Sequence, residues 1–290
     1  MTTPRATNSP GAAPTSAMPG ARRTASTGLD LARQIAVLSA LGFTLVAVLV
    51  GVGGLGGTDV ADSQGGQLSA QGSFLAPAGP AFSIWSVIYA GLIGYAVWQA
   101  LPGQRASDRQ RAVGWWIALT IVLNGLWLVA AQFLTIEWTV VVILLLLVAL
   151  CVTFRLSVVT RTPRAGFWDA LWIDGVTGLH LGWVTLASVA NIAAWLTGVV
   201  PESWADAASA WGIAVLVVVA VIGLGIAWAS GWRVAPALAL AWGLSWLAVG
   251  RFTGEPRNDA IAVTAIIVAA VVLLIPLAVA GLRLLRPEHD

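Results

Sequence analysis

Eight apolar runs divide the chain, at about residues 34–54, 82–101, 113–134, 138–159, 170–199, 208–230, 234–250 and 260–282. At 1.5 Å of rise per residue, about 20 apolar residues cross the hydrocarbon of a bilayer, and each run comes near that length. The pattern predicts eight transmembrane helices and an all-α integral membrane protein. The shortest run, 234–250, begins beside Pro236. A re-entrant path there is the alternative, and it would move the C-terminus to the other side.

Composition agrees with the pattern. The 290 residues are 58% hydrophobic and 10% charged, with a mean hydropathy of +0.86, far from the balance of a soluble domain. Residues 1–32 are rich in Pro, Ala, Ser, Thr and Gly and hold too little apolar surface to offset the entropy of ordering, so they read as a disordered tail. The first apolar run is longer than the 7–15 residues of a signal-peptide core and follows a long polar lead, which favours an uncleaved helix. The connection 55–81 is dominated by Gly, Ser, Ala and Gln and predicts little regular structure. Pro77 and Pro80 in it would stiffen the start of the second helix.

Charge adds orientation. Every basic residue is Arg, because the chain has no Lys, and a retinal Schiff base is thereby excluded. Arg5, Arg22, Arg23, Arg33, Arg105, Arg109, Arg111, Arg155, Arg161, Arg164, Arg233, Arg283 and Arg286 fall on one side of the predicted spans, and only Arg251 and Arg257 on the other. This positive-inside bias predicts that both termini are cytoplasmic, with a bacterial plasma membrane as the expected location. Arg residues dispersed among loops make no nucleic-acid surface. Cys151 stands alone, and His180 and His289 are too few and too far apart for a metal centre. No phosphate-binding loop, nucleophile elbow, HExxH or CxxC occurs, so no catalytic set is visible.

The candidate chemistry lies in the fifth run, WVTLASVANIAAW. Trp183, Ala187, Asn191 and Trp195 recur there every four residues, along one slowly drifting face of a helix. Lipid favours neither an amide nor a second indole at mid-depth, so this face looks inward, to another helix or to a bound molecule. Of the other Trp residues, Trp115, Trp116, Trp138, Trp168, Trp204, Trp211 and Trp232 lie near span ends and read as interfacial anchors. Trp242 and Trp246 read as core packing.

Three segments occur in order on different helices: PAGPAFSIWSVIY (Pro77 to Tyr89), LNGLW (Leu123 to Trp127) and LGWVTLASVANIAAW (Leu181 to Trp195). Together they resemble the TspO/MBR family of tryptophan-rich sensory proteins, relatives of the vertebrate translocator proteins. The resemblance covers residues 33–199 and implies a five-helix bundle with a pocket under the first loop. It implies binding of porphyrins, haem among them, or other flat hydrophobic molecules, with no cofactor required. The ligand-binding candidates it supplies are Trp85, Tyr89, Asn124, Trp127, His180, Trp183, Ala187, Asn191 and Trp195, with loop 55–81 as lid. Leu179 stands where short members carry Pro, and His180 where an aromatic is frequent. Residues 200–290 form an additional three-helix region. It could cover the lipid-facing side of the bundle in place of a homodimer partner, or form a second pocket.

Several readings stay open. Asn124 and Asn191 serve either as interhelical glue or as ligand contacts. Asp174 pairs with Arg at the headgroup zone or joins a proton relay, and His180 is a hydrogen-bonded core residue, a relay group or a haem ligand. The leading function is a membrane binding protein, sensor or carrier for a tetrapyrrole or similar ligand. The alternatives are a proton-coupled secondary transporter using Asp174, His180 or Arg155, and a scaffold whose last helices hold a partner protein.

Overall fold

A computed structural model describes residues 25–163 and 166–285. Among them, eight helices are long and apolar enough to cross a membrane: α1 (Gly28–Gly51), α2 (Ile84–Ala100), α3 (Asp108–Phe133), α4 (Ile136–Val159), α5 (Phe167–Val199), α6 (Ala208–Ala229), α7 (Ala235–Thr253) and α8 (Asp259–Leu285). The expected tail boundary shifts, because α1 begins at Gly28. Thr27 caps it in a reciprocal box, its hydroxyl accepting from Asp30 N while the Asp30 carboxylate accepts from Thr27 N. The remainder of the predicted tail, residues 1–24, lies outside the described residues. The short seventh run is a regular helix, with Pro236 in its first turn, where a missing N–H costs nothing.

α1 packs on α3, α3 on α4 and α4 on α5, and α2 closes the ring between α1 and α5. α7 lies on the outside of α5, α8 on α7, and α6 on α8. Two cores result, and α5 serves both: Trp183 and Val184 belong to the first, Leu186 to the second with Leu216, Leu240 and Val268. The α5–α7 seam depends on glycine. A Cβ at Gly182 would stand 2.0 Å from the Pro236 carbonyl oxygen. Small residues that let backbones approach are the usual means of joining helices in lipid, where apolar burial gives little drive.

At the end of the bundle away from loop 55–81, buried charge ties the ring together. Asp174 accepts from Arg109 of α3, from Arg161 after α4 and from Arg233 before α7, and Arg109 also pairs with Asp169. Burial lowers the basicity of Arg233, and the Asp174 carboxylate offsets this in part. Asp174 is 6% exposed, and the expected pairing with Arg161 is present within this buried ion cluster; Arg164 lies outside the described residues. The π-helical winding of Ala170–Gly175 is the local device that re-aims this stretch of α5.

Candidate functional site

Loop 55–81 has little regular structure, only short turns at Gly54–Gly56 and Ser63–Gly66, with Leu55, Gln64 and Gly65 at positive φ, and a 3-10 turn, Gly79–Ser83, that leads into α2. Two clamps fix it. On the α3 side, Gln132 exchanges hydrogen bonds with the Thr58 backbone, and Gln64 Nε2 donates to the carbonyls of Ala131 and Leu134. On the α7 side, Arg251 donates to the carbonyls of Ser73 and Ala70 at 3.0 Å each, and Ala78 N donates to Trp246 O. Arg251 is 1% exposed. The sequence suggested a topology signal for it; it is a buried anchor for the loop, donating to backbone carbonyls that would otherwise lie unsatisfied.

Beneath this roof lies a small cavity of about 60 Å³. Its walls carry Trp85 from α2, Asn124 and Trp127 from α3, Ile143 and Leu146 from α4, and Trp183, Ala187 and Asn191 from α5. Gln67, Leu68 and Pro77 of the loop close it. A larger space of about 640 Å³, within the range of small-molecule sites, adjoins it between α1 and α2, sharing Phe82, Trp85, Asn124 and Trp127 and adding Tyr89.

The aromatic walls are held by each other. The Trp85 ring stacks on Tyr89 with centroids 5.4 Å apart and meets Trp183 edge-on at 6.1 Å; Phe82 meets Trp183 edge-on at 5.7 Å. Trp183 is 1% exposed. The Cε3–Cζ3 edge of its indole faces Gly243 of α7, which leaves the N–H edge on the opposite side, and Nε1 has no hydrogen-bond partner. A buried, unpaired donor is costly unless something accepts from it.

The amides differ in how firmly they are held. Trp127 Nε1 donates to Asn191 Oδ1 and Asn191 Nδ2 donates to Thr139 Oγ1, both at 2.8 Å, so Asn191 joins α3, α4 and α5. Asn124 is looser: Tyr89 Oη donates to its Oδ1 at 3.4 Å, and its Nδ2 lies 3.4 Å from His180 Nε2. With Oδ1 accepting, Nδ2 is the donor and Nε2 the acceptor.

Two candidates lie off the cavity surface. His180, 1% exposed, sits behind the wall, against Asn124 and edge-on to Trp85 at 5.9 Å. Trp195 lines neither space, and its Nε1 is buried without a hydrogen-bond partner. Trp242, expected in the core, is 40% exposed and donates from Nε1 to Ala81 O, bracing the turn before α2. Trp115, Trp116, Trp138, Trp168, Trp204 and Trp211 are exposed near helix ends, as anchors would be. The sequence missed Gln67, Leu68 and Arg251; only Phe82, inside the FSIWSVIY segment, carried a readable signal.

A ring of helices enclosing a tryptophan-walled cavity under a clamped loop defines a polytopic membrane protein with an interior cavity. The chain belongs to the family described as TSPO-like protein, which matches residues 34–278 and so includes α6 and α7 and most of α8. No curated protein and no solved structure matches it significantly.

Proposed function

We propose that this protein binds a tetrapyrrole or a similarly flat lipophilic ligand in the cavity under loop 55–81, as a sensor or carrier. The observation that carries the reading is the pair of adjoining spaces under the loop, walled by the aromatic rings of Phe82, Trp85, Tyr89, Trp127 and Trp183. Indole faces stack on planar conjugated rings, and the Asn124 amide, which lines both spaces, offers a polar group to orient them. The chemistry is binding: apolar walls desolvate the ring and a few polar groups select it. Membership of the TSPO-like family supports this reading. The side away from the lid would face the cytoplasm of a bacterial plasma membrane, on the strength of the Arg distribution.

The test is titration of the purified protein with protoporphyrin while tryptophan fluorescence is followed. Saturable quenching that is lost in Trp183→Ala supports the proposal; folded protein that no porphyrin quenches overturns it. The transporter alternative loses support from Asp174, which is held by three Arg residues rather than placed along an open path.

A further inference from the structure

At the end of the bundle away from loop 55–81, a recess of about 500 Å³ opens where α2 ends, α3 begins and α4 passes into α5. It is polar: the hydroxyls of Ser107, Thr160 and Thr162 and the carboxylates of Asp108 and Asp169 line it together with Arg109. An apolar groove of about 430 Å³ adjoins it along the seam of α2 and α5, formed by Gly94, Val97, Leu101 and Trp172. Trp98 and Trp168 line both spaces. A polar recess at the helix ends that continues into an apolar groove on membrane-crossing helices has the shape of a lipid site, headgroup above and acyl chain below.

The spacing of the residues builds the groove. About one helical turn separates Trp98 from Gly94 and Trp168 from Trp172, so the second residue of each pair lies about 6 Å deeper. The Trp168 and Trp172 indoles stack with centroids 6.0 Å apart and planes 12° from parallel. Trp172 covers Gly94 so closely that a Cβ there would stand 2.3 Å from its Cζ3. A flat aromatic wall therefore runs down from the recess beside Val97 and Leu101, which are 60% and 50% exposed.

Charge and hydrogen bonding in the recess select the headgroup. Among the described lining residues, two carboxylates face one guanidinium, and Arg109 is already committed to Asp169, Asp174 and the Ser157 carbonyl. Asp108 is open: its side chain is 84% exposed, and it meets Arg111 at 3.3 Å, while Asp30 holds that Arg at 2.7 Å. A further cation finds acceptors in Asp108 and in Thr160 Oγ1, whose own proton goes to Leu156 O. An anionic oxygen finds donors in Thr162 and in Ser107, whose Oγ accepts from Gln110 N and keeps its proton.

We propose that this recess and groove bind an aminophospholipid of the leaflet on the Arg-rich side. The primary ammonium meets Asp108, the phosphate meets Ser107 and Thr162, and one acyl chain lies along the Trp168–Trp172 wall. A choline headgroup has no N–H to donate, and a glycerol headgroup brings net negative charge towards two carboxylates.

The full chain is equilibrated in nanodiscs of equimolar phosphatidylethanolamine, phosphatidylcholine and phosphatidylglycerol, transferred to mild detergent, and its retained lipids are counted by native mass spectrometry. Phosphatidylethanolamine is expected in about fivefold excess over either competitor, within what a partly exposed ion pair supplies. Asp108→Asn brings the ratio towards one. Trp168→Ala lowers retention several-fold, whereas Trp115→Ala, which removes an exposed indole outside the groove, does not. Equal retention of the three lipids, a preference that survives Asp108→Asn, or retention that Trp168→Ala leaves unchanged overturns the proposal. So does displacement of the lipid by equimolar glycerophosphoethanolamine, which carries the headgroup without chains.

Discussion

The Trp127 indole donates to Asn191 Oδ1 at 2.8 Å, and this bond stitches α3 to α5 along the cavity wall. Through its Nδ2, Asn191 extends the stitch to Thr139 on α4. Asn191→Leu breaks both bonds and leaves the Trp127 donor unpaired. With interhelical bonds in membranes averaging about 0.6 kcal/mol, a loss of about 1 kcal/mol is expected. Thermal unfolding in detergent checks it. Thr139→Val should add little on top of Asn191→Leu, and full additivity would contradict a shared network.

Asp174 is the reverse case, one carboxylate holding three guanidinium groups. Asp174→Asn leaves buried Arg109 with Asp169 alone and partly buried Arg233 without its counter-charge, and a loss on the order of 3 kcal/mol follows. Arg161→Gln removes the partner that is 39% exposed and should cost within about 1 kcal/mol. Comparing the melting temperatures of the two variants decides the ranking; equal losses would contradict it.

Two glycines separate contact from propensity. Gly182→Ala drives a methyl into the Pro236 backbone and should destabilise by about 1–3 kcal/mol, loosening α7 from α5. Gly225 has open space around it, so Gly225→Ala should be neutral or stabilise by up to about 1 kcal/mol. Proteolysis between α5 and α7 reports the first effect; unchanged protection in Gly182→Ala would argue against a tight seam.

Arg251→Met removes the α7 clamp on the loop while filling part of the guanidinium's volume. Amide exchange over residues 66–78 should rise, with exchange in α3 unchanged, and bound ligand should dissociate faster. Unaltered exchange in the loop would show that the Ala78 to Trp246 backbone bond holds it alone.

The eight spans were legible because an apolar run long enough to cross a bilayer has few other fates, and the pocket walls because Trp85, Asn124, Trp127 and Trp183 stand in recognisable segments. Trp195 was misplaced by the drift of its own ladder. Each step of four residues turns about 40° past a full circle, so three steps carry Trp195 about 120° from Trp183. Arg251 was unreadable for another reason: an Arg near a span end looks the same whether it faces headgroups or loop carbonyls, and only the path of residues 70–73 distinguishes them. The partners of Asp174 are likewise scattered over three connections that no local pattern joins.

The two clamps on the roof divide it unequally. Thr58 and Gln64 are fixed to α3, and everything from Ala70 onward is fixed to α7. Only residues 65–69 hang between them, a stretch that reaches at most about 18 Å when drawn out fully. Gly65 and Gly66, both at positive φ, give it its bend. The roof thus behaves as a narrow hatch with two rigid sills, one of them supplied by a helix outside the five-helix ring. For the planar ligand proposed above, such a hatch admits passage edge-on, and stiffening Gly65 or Gly66 should slow entry and exit alike without altering affinity.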